Sequence, residues 1–216
     1  NPMKQRKVFF QSGALNLEGR LVSPRRAETG AGVVICHPHP LYGGSMDNNV
    51  VYAVSKALAE KGITSLCFNF RGVGRSEGLH DDGRGEIDDT LAAIAFLAGC
   101  SEIDSGRVGL AGYSFGGAVA LNAVMQCDTV KAVAAISPPE VPALGSAAWP
   151  RLILCGSEDT LVSAISILQQ KERITGLDDA GVIEVIKGAD HFWHRSEEVM
   201  ATRVASFFQQ HLLDTG

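Results

Sequence analysis

From Gly32 onward the chain alternates short unbroken apolar runs with longer segments in which apolar residues recur every three or four positions. This alternation constrains the fold more than any other feature. A strand that is apolar on both faces must be covered on both faces, and helices inserted between successive parallel strands supply the cover. The strand-like runs are 32–36, 63–70, 108–111, 130–136, 152–155 and 182–186, and the helix-like segments are 49–61, 86–98, 117–126, 162–174 and 197–213. Asp88 and Asp89, near the start of the second helical segment, are placed to complement its dipole. Before Gly32, segments 8–11 and 15–22 alternate apolar and polar residues in part, as half-buried antiparallel strands do. The expectation is an α/β fold with a mostly parallel central sheet, antiparallel strands at the N-terminal side and helices on both faces.

No repeat, linker-like stretch or low-complexity segment interrupts this order, so residues 3–216 read as one domain. Asn1 and Pro2, ahead of Met3, read as a cloning remnant. A formal charge of −5 with scattered lysines and arginines offers no basic face for phosphates, which argues against nucleic acid as a partner. No apolar run approaches the ~18 residues of a membrane span, and no signal-peptide hydrophobic region follows Lys4, Arg6 and Lys7. A cytoplasmic protein without membrane contact is expected, a homodimer being possible but not legible. The five cysteines are odd in number and lack CxxC spacing, so buried free thiols are expected.

Chemistry is sought beyond the carboxyl ends of the strands, where such sheets gather their functional loops. Gly112, Ser114 and Gly116 form a G-x-S-x-G pattern that the composition alone would produce roughly 0.2 times by chance. Context strengthens it: an apolar strand runs straight into the motif and an amphipathic helix straight out. A serine on so sharp a turn is held in a strained backbone conformation with its hydroxyl projecting from the sheet. The helix behind it aims the Phe115 amide at a developing oxyanion. The plainer reading of Ser114 is a helix cap in a glycine-rich turn.

A serine hydroxyl needs a positioned base, itself oriented by a carboxylate. Asp159 follows the strand-like run 152–155 and His191 follows the run 182–186, giving the order Ser, Asp, His. Glu158 competes for the acid and His194 for the base. His37 and His39 also permit an H-x-H metal pair, with Asp190, His191 and His194 as distant ligands.

With these residues in place the chain resembles the α/β-hydrolase superfamily over nearly its whole length. It is most similar to small lidless bacterial hydrolases and carboxylesterases near dienelactone hydrolase. The matching segments are 36–48, 69–78, 112–117, 156–159 and 188–191. The resemblance implies a second oxyanion donor in the loop after the third strand, from His39-Pro40-Leu41, so that Leu41, or alternatively Tyr42, supplies the amide. Only the stretch from Ser137 to Trp149 separates two strands where a lid would sit, which leaves no room for a helical one. An open site lined by Leu41, Tyr42, Phe115, Pro139, Trp149 and Phe192 suits small esters with short acyl groups. The implied activity is two-step hydrolysis through an acyl-enzyme on Ser114, with no cofactor and no metal. Thioester or lactone hydrolysis uses the same machinery, and a ligand-binding protein with a relic triad is the alternative outside catalysis. The segment 72–78 hints weakly at a nucleotide loop, but it is read as a wall of the site, with Arg71 pairing locally.

Overall fold

The computed structural model describes residues 3–25, 29–144, 149–175 and 180–213. Asn1 and Pro2, and residues 145–148 of the stretch expected to be too short for a lid, lie outside these. One eight-stranded sheet carries the fold, in the order β1 (Met3–Ser12), β2 (Leu15–Pro24), β4 (Thr64–Phe68), β3 (Gly32–Cys36), β5 (Val108–Tyr113), β6 (Val130–Ile136), β7 (Arg151–Gly156) and β8 (Gly181–Ile186). β1 and β2 pair antiparallel, as do β2 and β4, while every other pairing is parallel.

Period-two alternation explains why the central strands are apolar without a break. Val33 and Ile35 point into one core with α1 (Asn49–Glu60) and α6 (Glu197–Leu212), whereas Val34 and Cys36 point into a second with α2 (Arg84–Ala98) and α3 (Phe115–Val124). β1 is an edge strand whose Lys4, Gln5, Arg6 and Lys7 are all exposed, and such charge blunts edge-to-edge pairing. Those exposed residues carry no alternation, which is why the expected strand began only at residue 8.

Two elements depart from expectation for local reasons. β4 stops at Phe68 because Phe70 donates its amide to His37 Nε2 and the Asn69 side chain turns to accept from the Met46 amide. The single helix expected over 162–174 is two, α4 (Ala164–Gln169) and α5 (Lys171–Thr175), broken at Gln170. Its start is displaced because Val162 N–H is taken by Asp159 Oδ1, leaving Ser163 to cap the Ser166 amide.

Asp89, expected to complement the dipole of α2, lies beyond its first turn. It is fully buried, accepts from Ser12 Oγ at 2.7 Å and receives Arg71 Nη2 at 2.8 Å. The first-turn acid of α2 is Glu86, also fully buried, whose carboxylate accepts from the Asp81 and Gly83 amides.

Because β3 lies between β4 and β5, the chain leaves it in one direction and returns on the other side, with α1 and α3 on opposite faces. Such a switch point opens a crevice at the carboxyl ends of β3 and β5. Among the described residues no helix is long and apolar enough to cross a membrane.

Candidate active site

Ser114 sits at that crevice, between the last residue of β5 and the first of α3. Its backbone is left-handed, with φ 54° and ψ −122°, a conformation that costs a non-glycine residue of order 1–3 kcal/mol and persists only when its surroundings enforce it. The enforcement is visible on both sides. A Cβ on Gly112 would lie 2.1 Å from Gly116 O, and one on Gly116 would lie 2.4 Å from the carbonyl oxygens of Cys36 and His37. Both glycines are therefore steric requirements of the turn, and the second presses α3 against the end of β3.

Ser114 Oγ lies 3.0 Å from His191 Nε2, and His191 Nδ1 lies 2.8 Å from Asp159 Oδ2. The carboxylate at Nδ1 selects the tautomer that carries its proton there, which leaves Nε2 free to accept from the serine hydroxyl. Asp159 is held in turn: its other oxygen accepts the Leu161 and Val162 amides at 2.9 and 2.7 Å, and its side chain is fully buried. Glu158 is exposed, and His194 pairs with Asp190 at the surface, so neither competitor reaches this cluster.

The His191 loop is fixed by two residues without an obvious sequence signal. Tyr113 Oη donates to the His191 carbonyl at 2.8 Å. Trp193, fully buried at φ 60°, donates Nε1–H to Ser137 Oγ beyond β6. Trp193 is thus an anchor of the loop. Burial pushes the Tyr113 hydroxyl well above its usual range, with Asp159 and Asp190 adding to the shift, so it stays a donor.

The loop after β3, expected to supply a second oxyanion donor, is ordered by its own hydrogen bonds. His37, directly after β3, is the buried histidine of the pair, its Nε2 accepting from Phe70 N at 3.1 Å and its Nδ1 donating to the Pro38 carbonyl at 2.7 Å. Burial pushes this imidazole down to about 4, against the opposing pull of that carbonyl. With both nitrogens engaged, His37 has no lone pair left for a metal ion. The Leu41 amide donates to His39 Nδ1 at 3.2 Å and the Tyr42 amide to the His39 carbonyl at 3.1 Å. Both expected donors are thus spent on a 3₁₀ turn (Pro40–Tyr42), and both side chains stand out in solvent, 69% and 87% exposed. The His39 amide, like that of Phe115, donates to no described residue, and the two rings touch with centroids 4.7 Å apart.

Of the remaining expected wall residues, Phe192 is exposed beside His191, with centroids 5.5 Å apart, and Pro139 is exposed beyond the end of β6. Trp149 is elsewhere. It precedes β7, at the opposite edge of the sheet from Asp159, where it packs on the core with the Arg151 guanidinium over its ring. Its assignment to the site is corrected accordingly. Five cysteines are free, and burial raises the thiols of Cys36 and Cys155 to about 12 and that of Cys67 to about 11.

A mostly parallel sheet with antiparallel N-terminal strands, and a serine on a strained strand-to-helix turn at its switch point, define the α/β-hydrolase fold. The profile of the X-Pro dipeptidyl-peptidase (S15) family matches residues 13–151. The chain belongs to this family, within the α/β-hydrolase superfamily. The match includes Ser114 and stops short of Asp159 and His191. RP471 of Rickettsia prowazekii, an uncharacterized protein, is 34% identical over 89% of this chain and 84% of its own length. An α/β serine hydrolase homologue from Coxiella burnetii superposes with a TM-score of 0.82 at 32% identity, covering 93% of this chain and 96% of that one. A lidless α/β serine hydrolase from Xanthomonas campestris gives 0.83 at 28% identity, covering 100% and 99%.

Proposed function

We propose that the chain is a serine esterase that hydrolyses small carboxylic esters with short acyl groups through an acyl-enzyme. The observation that carries this reading is the continuous contact from Ser114 Oγ through His191 to buried Asp159, at 3.0 and 2.8 Å. His191 removes the Ser114 proton as Oγ attacks the ester carbonyl, and the same proton passes from Nε2 to the departing alkoxide. Water then adds to the acyl-enzyme with His191 again as base, releasing the acid and restoring the hydroxyl. Asp159 holds the tautomer and stabilises the imidazolium without taking the proton.

The oxyanion is assigned to the amides of Phe115 and His39. The first opens α3, where unpaired N–H groups and the helix dipole both favour negative charge. The second replaces Leu41, whose amide is committed to the His39 ring. Exposed Leu41, Tyr42 and Phe192 give the site an apolar rim without a deep acyl tunnel of their own. The relatives described as serine hydrolases support the same reaction class.

The test pairs a serine-directed phosphonate with an aryl ester series of increasing acyl length. Expected are a covalent adduct at Ser114, multiple turnovers and a maximum at short acyl groups. Binding without turnover or labelling overturns the esterase reading, and a maximum at long acyl chains overturns the assigned substrate class.

A further inference from the structure

Three aromatic side chains meet above the proposed oxyanion hole. His39 and Phe115, which carry its two amides, touch each other and both touch His80, with centroids 5.0 and 5.6 Å from the His80 ring. His80 belongs to the loop between β4 and α2, far in sequence from either partner, and only 11% of its side chain is exposed. Its ring nitrogens are buried and make no aligned hydrogen bond, yet each faces a carboxylate oxygen: Glu86 Oε1 is 3.0 Å from Nδ1 and Asp82 Oδ1 is 3.3 Å from Nε2.

Glu86 is a firm support for such a ring. It is fully buried in the first turn of α2, and its two oxygens accept the Asp81 and Gly83 amides at 2.9 and 2.8 Å. The carboxylate thereby closes the 81–83 turn and holds His80 from one side. From the other side His39 is clamped by Pro38 and Pro40, by the Leu41 amide on its Nδ1 and by Tyr42 against its ring.

We infer that His80, seated on Glu86, is a positioning residue that locks the His39 and Phe115 rings and so fixes the spacing of the two oxyanion-hole amides. The inference rests on the esterase reading above. Among the described residues no hydrogen bond or ring contact joins His80 to Ser114 or His191; it acts through the two residues whose amides meet the developing charge. Oxyanion donors contribute only where charge develops, so their misplacement lowers kcat and leaves ground-state binding nearly unchanged.

The experiment compares His80→Ala and His80→Phe with the unaltered protein, reading kcat and KM on one short-chain aryl ester, affinity for a trifluoromethyl ketone of the same acyl group, and thermal melting. His80→Ala is expected to lower kcat about tenfold or more, since small displacements of catalytic groups have effects of this order. KM should stay within about threefold and ketone affinity should fall in step with kcat. His80→Phe, which keeps a ring against both neighbours, is expected to recover most of the loss. An unchanged kcat in His80→Ala overturns the inference, as does a rise in KM alone, which would mark a substrate contact. A Phe variant as impaired as the Ala variant, though equally well folded, also overturns it. If the unaltered protein neither hydrolyses esters nor labels at Ser114, the esterase reading fails first and this inference with it; failure in the His80 variants alone leaves that reading standing.

Discussion

The loops that follow β7 and β3 open on the same edge of the sheet, and both contribute to the proposed chemistry, but in different ways. After β7 the contribution is a side chain: Asp159 reaches His191, and no other carboxylate in the turn is turned inward. After β3 it is a backbone amide, and any residue but proline could supply it. A side-chain function is tied to residue type and shows in the sequence, whereas an amide function depends on which peptide the local hydrogen bonds leave unspent. In the 37–44 loop those bonds consume Leu41 and Tyr42 and leave His39.

Asp159→Asn tests the side-chain contribution and should have the greatest effect on turnover. The amide oxygen can still accept from Leu161 and Val162, so the turn survives, but the amide nitrogen then faces His191 Nδ1 and imposes the wrong tautomer. Turnover is expected to fall by about 10⁴-fold with little change in melting temperature. Glu158→Gln, altering an exposed side chain, should leave the rate within about twofold. Equal losses in the two variants would show that the carboxylates had been misassigned.

The backbone half is tested by His39→Pro against His39→Ala. Proline accepts the observed φ of −56° and deletes only the N–H, while alanine keeps it and loses the ring. Deletion of an oxyanion donor is worth about 10²–10³ in kcat, so the proline variant should be impaired well beyond the alanine variant. Leu41→Pro, in which the deleted amide serves only the loop, should lower kcat far less. The reverse ranking would return the role to Leu41.

The same distinction governs how much of the protein was legible from its residues. The six parallel-sheet strands read well because burial on both faces leaves an unmistakable apolar run, and Ser114, Asp159 and His191, singled out by residue type and order, lie within hydrogen-bonding distance of one another in the fold. What was lost depended on contacts distant in sequence. What sets His37 apart from His39 is the amide of Phe70, two residues beyond the end of the neighbouring strand β4, which donates to its ring. Position in the helical segment gives Asp89 only a dipole role, because its partners, Ser12 and Arg71, are distant in the chain. For Trp149, sequence distance from β6 does not say at which edge of the sheet the chain has arrived, and the residue precedes β7, away from the expected site.

His37 provides a smaller effect, read in stability. Its folded pKa of about 4 is depressed below the ordinary 6.5 by burial, so the unfolded chain binds the proton first. Stability is therefore full above pH 6.5 and declines as pH falls towards 4, by up to about 3 kcal/mol from this group. Urea unfolding at a series of pH values should show a steeper acid-side decline for the unaltered protein than for His37→Gln, whose amide oxygen can still accept from Phe70. Parallel declines would show that His37 is not buried in the neutral form.

Trp149 supplies the smallest effect on rate and the cleanest check on the corrected geometry. At the edge of the sheet remote from Ser114, its ring covers core residues and receives the Arg151 guanidinium at 5.6 Å from its centroid. Removing a half-buried ring of this size should cost about 2 kcal/mol, through lost apolar burial and the stacked cation. Trp149→Ala is thus expected to melt at a lower temperature with kcat, KM and acyl-length preference all unchanged. Phe192→Ala should do the opposite: this half-exposed ring stands against His191, so its loss should alter KM and acyl preference with little effect on melting. A shifted acyl preference in the Trp149 variant would place that side chain back at the mouth of the site and remove the distinction between the two edges of the sheet on which the assignment rests.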